Sequence, residues 1–182
     1  MDTRSDSFFS EMVRFALITL AIVLPIRFFV AEPFIVSGAS MEPTFDTGQY
    51  LIIDRLTYRF EEPKRGEVII FKYPENPSKY FIKRIIGLPN ETVKIDRGVV
   101  SIINKEHPES FTLDQSFILY PKEDSGTYPL EEGQYFVMGD NRGASSDSRS
   151  WGSLPENLIV GRAFLRLFPP QTVSILPGDH SN

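Results

Sequence analysis

Few side chains in this sequence can break a covalent bond, and the shortage narrows the chemistry. Cysteine is absent, which excludes a thiolate nucleophile, a disulfide and a thiolate zinc site. Of the two histidines, His107 stands in a charged stretch (NKEHPES) and His180 in a polar one (PGDHSN). Neither setting suits the base of a Ser-His-Asp triad, and two histidines cannot build a histidine-rich metal site. Serine with lysine remains. A serine hydroxyl becomes nucleophilic when a neutral amine takes its proton, and desolvation by burial is what makes a lysine neutral near physiological pH.

Two segments supply that pair. In SGASMEPT, Ser37 to Thr44, the composition alone is that of an ordinary polar loop. The second is YFIKRIIGLP, Tyr80 to Pro89. As a strand it puts Phe81, Lys83 and Ile85 on one face and Ile82, Arg84 and Ile86 on the other. A sheet with one solvated face can hydrate only one of these cations. The other must point into apolar surroundings. Arginine keeps its charge and so needs a carboxylate, whereas lysine can lose its proton and serve as a general base.

Two further segments join them: GEVIIFKYP (Gly66–Pro74), between those two, and MGDNRGASSDSRSWG (Met138–Gly152), after them, with GRAFLRLFP beyond it. Taken in chain order, behind an apolar N-terminal stretch, the four resemble the sequence boxes of bacterial type I signal peptidases. The resemblance covers the apolar stretch and nearly all of Phe34–Pro169, leaving out the region around Lys105–Glu132. It implies a membrane-bound serine endopeptidase that removes signal peptides from exported preproteins, cutting after small residues without metal or cofactor. Position by position, it implies Ser40 as nucleophile and Lys83 as general base, with Ser145 hydrogen-bonded to the Lys83 amine. Asp147 and Arg149 are expected to pair beside the site, with Arg84 in reach of Asp147. Some members carry a serine two positions before the nucleophile that donates to the oxyanion. Gly38 stands there in this chain, which leaves that task to backbone N–H groups, notably that of Ser40. Phe34, Val36, Phe45 and Ile82 are the expected walls of shallow substrate pockets.

Other chemistries fit less well. GDNRGASSD lacks the ligand spacing and terminal Glu of an EF-hand calcium loop. Neither S-x-x-K nor G-x-S-x-G occurs. A self-cleaving repressor-type protease shares the Ser-Lys pair but carries a DNA-binding domain. A catalytically inactive membrane-tethered binding module usually loses the nucleophile or the base. The net charge of −5, with no basic run, argues against nucleic acid.

The elements that must position these groups are also legible. The seventeen residues Phe15–Ala31 (FALITLAIVLPIRFFVA) have only Thr19 and Arg27 as polar side chains. As a helix they reach about 25 Å, close to the ~30 Å of a bilayer core. Cleavage after Ala31 would place Phe29 where a signal peptide needs a small residue, so an uncleaved anchor is expected. Arg4 and Arg14 precede it, and no Lys or Arg occurs from Glu32 to Asp54. By the positive-inside rule, residues 1–14 are cytoplasmic, 15–31 span the membrane and 32–182 lie outside. Beyond the anchor, β-branched and aromatic runs broken by turn residues predict strands at Phe34–Ser37, Gln49–Asp54, Glu67–Lys72, Tyr80–Ile86, Glu91–Ile95, Gly98–Ile103, Gln134–Met138 and Leu158–Phe168. The expected fold is therefore mainly β: a signal-peptidase-like antiparallel core with one N-terminal transmembrane helix. Residues 105–132, charged and holding three prolines, read as an extension or long hairpin hung on that core.

Overall fold

The computed structural model describes residues 3–25 and 31–180. Helix α1 spans Thr3–Pro25, beginning well before Phe15. Its described side chains from Phe8 onward are exposed, Phe8, Phe9, Phe15, Leu17 and Leu20 among them. Among the described residues no helix is long and apolar enough to cross a membrane. Part of the expected anchor, residues 26–30 with Arg27, lies outside the described residues. Its last residue, Ala31, opens a strand instead.

Everything after residue 30 is built on antiparallel sheet. The strands are β1 (Ala31–Ile35), β2 (Tyr50–Asp54), β3 (Val68–Tyr73), β4 (Asn76–Gly87), β5 (Thr92–Asp96), β6 (Val99–Ile103), β7 (Phe111–Thr112), β8 (Gly126–Pro129), β9 (Gln134–Met138), β10 (Leu154–Pro155), β11 (Ile159–Phe168) and β12 (Ser174–Ile175). A short helix, α2, covers Ser148–Trp151. The larger sheet runs β1-β2-β11-β3-β4-β9-β10, with β12 paired to β11. The smaller runs β7-β6-β5-β8.

The β3–β4 hairpin lies at the centre, and both of its faces are covered. On β3, Val68 and Ile70 join a core with Met41, Phe45, Leu51, Ile53 and Ile82. Ile69 and Phe71 point the other way, into a core with Ile85, Tyr135, Val137 and Leu154. A third core, with Ile86, Val93, Ile102, Leu130 and Phe136, joins the end of β4 to the smaller sheet. Burial on both faces explains why GEVIIFKYP reads as an unbroken apolar run instead of an alternation.

Between the expected strands Glu67–Lys72 and Tyr80–Ile86 only Pro74–Glu75 is left as a turn, because Tyr73 pairs with Asn76 and the following residues join β4. Residues 105–132 do more than hang from the core. Phe111–Thr112 and Gly126–Pro129 are the two edge strands of the smaller sheet. That sheet leaves the larger one after β4 and returns to β9, which is β4's direct neighbour.

Candidate active site

Ser40 sits in the loop between β1 and β2. The loop turns at Gly38, whose φ of 95° only glycine adopts readily. It then winds through two helical turns, Glu42 N–H to Ala39 O and Phe45 N–H to Met41 O. Met41 and Phe45 are wholly buried, so the residue after the serine acts as a plug that seats the loop on the core. Asn141 N–H donates to the Ser40 carbonyl at 3.1 Å, tying this loop to the one after β9.

Lys83, in the middle of β4, is 3% exposed and its amine donates to Ser40 Oγ at 2.7 Å and to the Ile82 carbonyl at 2.8 Å. Its neighbour Arg84 is 1% exposed. Solvation of one cation and burial of the other was the expectation; the structure buries both, because neither face of β4 is open here. Burial lowers the Lys83 pKa from its ordinary 10.5 to about 8, against the opposing pull of Asp147 and Asp140. Arg84 keeps its charge and is satisfied by bonds to Asp140, at 2.8 Å (Nε to Oδ1) and 2.6 Å (Nη2 to Oδ2), and to the carbonyls of Gly66 and Gly178.

A cleft of about 260 Å³ opens in front of Ser40 and Lys83, walled by Phe34, Ile35, Gly38, Phe81, Ile82 and Ala144. Across it, the loop after β9 carries Asp147, which caps α2 and is held by Arg149 through two bonds of 2.8 Å. Burial works against the Asp147 carboxylate, but Arg149 and the Gly139 N–H outweigh it and hold its pKa below the usual range.

A serine whose hydroxyl meets a buried, weakly basic lysine at the head of a small apolar cleft is the equipment of an acyl-transfer hydrolase. A family model described as "Signal peptidase, peptidase S26" matches residues 9–168. The chain belongs to the signal peptidase family. It is a serine endopeptidase that removes signal peptides. A probable signal peptidase I-1 of Synechocystis is 36% identical over 170 residues, 89% of this chain and 84% of its own length. Signal peptidase I of Leptolyngbya laminosa is 36% identical, covering 91% of this chain and 83% of its own. A probable thylakoidal processing peptidase 2 of Arabidopsis thaliana is 34% identical over 91% of this chain and 46% of that longer protein. A crystal structure of a signal peptidase I from Enterococcus faecalis aligns with 56% of this chain and 97% of its own, at 28% identity and a TM-score of 0.49.

Several expectations about individual residues of this family member change with the structure. Arg84 does not reach Asp147. Its partner is Asp140, because Arg84 pairs with Met138 across the β4–β9 ladder and Asp140 follows closely on that strand, while Asp147 is already held by Arg149. Ser145 does not bond the Lys83 amine. Its buried hydroxyl lies near Asp147, whose charge it favours, yet makes no hydrogen bond of normal geometry. The Gly38 N–H is occupied by Thr47 Oγ1 at 3.1 Å. Of the four expected pocket walls, Phe34 and Ile82 line the cleft. Val36 and Phe45 belong to the core beneath it, fully enclosed by Leu51, Ile53 and Val68.

Asp140, Thr44 and Arg142 also belong to the site, although nothing in their own sequence setting singles them out. Thr44 Oγ1 donates to Asp140 at 2.5 Å, and Arg142 is buried with its Nε on the Gly139 carbonyl. The available signal for Asp140 is a carboxylate two residues after the predicted strand Gln134–Met138, beside an arginine that needs one.

Proposed function

We propose that this signal peptidase works with Ser40 as nucleophile and Lys83 as general base, cutting exported preproteins after small residues outside the membrane. The observation that carries the reading is the 2.7 Å contact between Lys83 Nζ and Ser40 Oγ, made by a lysine whose pKa is lowered to about 8. In the neutral amine the same contact runs the other way: Ser40 Oγ–H donates to Nζ. Oγ attacks the scissile carbonyl as its proton passes to Lys83. The resulting ammonium protonates the departing amine, leaving an acyl-enzyme on Ser40. Water, deprotonated by the same amine, then releases the acid. The Ser40 backbone N–H is the oxyanion donor in this reading, since that of Gly38 is engaged by Thr47.

Phe34 and Ile82 narrow the cleft so that alanine-sized side chains fit and longer ones do not. In this proposal α1 and the apolar residues after it anchor the enzyme, with the N-terminus cytoplasmic. Apolar side chains exposed on this helix from Phe8 to Val23, with Arg4 and Arg14 ahead of the most apolar stretch, support that orientation.

The test is cleavage of a preprotein by the detergent-solubilised chain, with the cut mapped by mass spectrometry. Cutting after a small residue, lost in both Ser40→Ala and Lys83→Met, is the expected result. Undiminished cleavage by either variant would refute the assignment.

A further inference from the structure

The segment Gln115–Asp124 lies within the region that resembles no sequence box, yet it touches Arg84, Arg142 and Arg149 beside the site. Arg142 donates to Gln115 Oε1 and, through its backbone N–H, to the Tyr120 carbonyl at 3.1 Å. Arg149, while holding Asp147, donates a further bond to Asp124 Oδ2 at 2.8 Å. The Arg84 guanidinium lies 4.5 Å from the centre of the Phe117 ring. Tyr120 also bridges Asn141, the residue whose N–H holds the Ser40 carbonyl.

Both ends of the segment are pinned at one point. Gln115 Nε2 donates to the Gly98 carbonyl at 3.4 Å, and the Gly98 N–H donates to the Asp124 carbonyl at 3.0 Å. Gly98 forms the β5–β6 turn with φ 82°, and a Cβ there would lie 2.6 Å from the Lys122 carbonyl. The smaller sheet thus offers a fixed post, and the segment loops from it across the arginines and back.

We propose that Gln115–Asp124 is a positioning strap, through which the smaller sheet holds Arg84, Arg142 and Arg149 and so sets where Asp140, Asp147 and Ser40 stand relative to Lys83. Arginine side chains carry much rotamer freedom, and a guanidinium with one side unheld can swing away from its carboxylate. Asp140 binds Thr44 in the nucleophile loop, so a swing at Arg84 reaches Ser40. The strap touches no substrate. Its residues act through the arginines, and the cost of loosening it falls on the alignment of Ser40 and Lys83, not on the cleft that grips the peptide.

This inference rests on the Ser40–Lys83 reading, and the experiment separates the two. Cleavage of one preprotein is followed at full saturation curves for the whole detergent-solubilised chain. The variants are Asp124→Ala, Phe117→Leu, Phe117→Tyr and, at the exposed apex of the strap, Leu119→Ser, with Ser40→Ala and Lys83→Met beside them. Asp124→Ala and Phe117→Leu are expected to lower kcat about tenfold or more with KM within about twofold, since small misplacements of reacting groups cost that much. Phe117→Tyr keeps the ring under Arg84 and should restore kcat to near wild type, and Leu119→Ser should change nothing. Should Asp124→Ala and Phe117→Leu both turn over at the wild-type kcat, or Phe117→Tyr be as slow as Phe117→Leu, the strap is overturned. If Ser40→Ala or Lys83→Met still cleaves, it is the dyad assignment that fails.

Discussion

Lys83 and Arg84 show how one strand gives two cations opposite fates. Both are buried, but only the lysine can shed its charge, and its lowered pKa records the cost of keeping it. A fall from 10.5 to about 8 corresponds to about 3 kcal/mol of penalty on the charged form. Cleavage should therefore rise with pH through a midpoint near 8, measured as kcat/KM across a buffer series. Stability follows the same protons. Between about 8 and 10.5 the unfolded chain binds more protons than the folded one, so stability rises with pH in that window; below about 8 the full penalty applies. Lys83→Met removes the charge at similar volume, and should leave the fold as stable or more so at pH 7 while abolishing cleavage, as read by denaturant unfolding and peptide assay. Asp140→Ala is the contrasting case: it strands a guanidinium that cannot neutralise itself, and should cost about 3–5 kcal/mol. Gly139 adds a steric limit, since a Cβ there would meet Ser145 Oγ and the Ser40 carbonyl at 2.3 Å. Gly139→Ala should lose activity together with about 1–3 kcal/mol of stability. The need of Arg84 for a carboxylate was readable from residue chemistry. Which carboxylate was not, because that depends on the β4–β9 register, a property of two strands far apart in the chain.

At the scale of elements, the long strands were legible and the short ones were not. Val68–Tyr73, Gln134–Met138 and Ile159–Phe168 stand within a residue or two of where β-branched and aromatic runs predict them. β7 and β8 were hidden because their residues, Phe111–Thr112 and Gly126–Pro129, are short and set among charges and prolines. Their pairing partners, not their own composition, make them strands. The same holds for Val36 and Phe45, whose apolar side chains suit a pocket wall or a core equally until the loop's fold is known. The junction of the two sheets is tight at Gly87, where a Cβ would approach Val93 Cγ2 at 2.4 Å and Leu130 Cδ1 at 2.7 Å. Gly87→Ala should lower the thermal midpoint by several degrees, by separating the smaller sheet from the larger at their shared core.

For the whole molecule, the question is which surface beside the cleft an enzyme anchored as proposed would turn to the bilayer. Ile35 and Tyr50 pair across β1–β2 and Tyr50 pairs with Phe168 on β11, while β12 adds Ile175. These four are exposed, Ile175 at 70%, and Ile35 also lines the cleft. An apolar surface continuous with the active site suits a bilayer more than water. The absence of cysteine makes the test clean: an environment-sensitive dye on Ile175→Cys should shift to the blue when the chain enters liposomes. The same dye on Lys94→Cys, in the smaller sheet, should not. Equal responses at both positions would place the apolar surface away from the lipid.

Because Lys83 and Arg84 are adjacent and back to back, the sheet serves as a partition between a group that must give up a proton and one that never does. Alternation along the chain maintains it, so length matters here more than identity. A single residue inserted between the two would turn both cations toward the same side, and whichever register the strand then chose, either Ser40 or Asp140 would face the inserted residue in place of its partner. Inserting two residues would restore the sidedness. The pair can thus tolerate neighbours of many kinds on β4, but a change in count by one at that point is a change of mechanism.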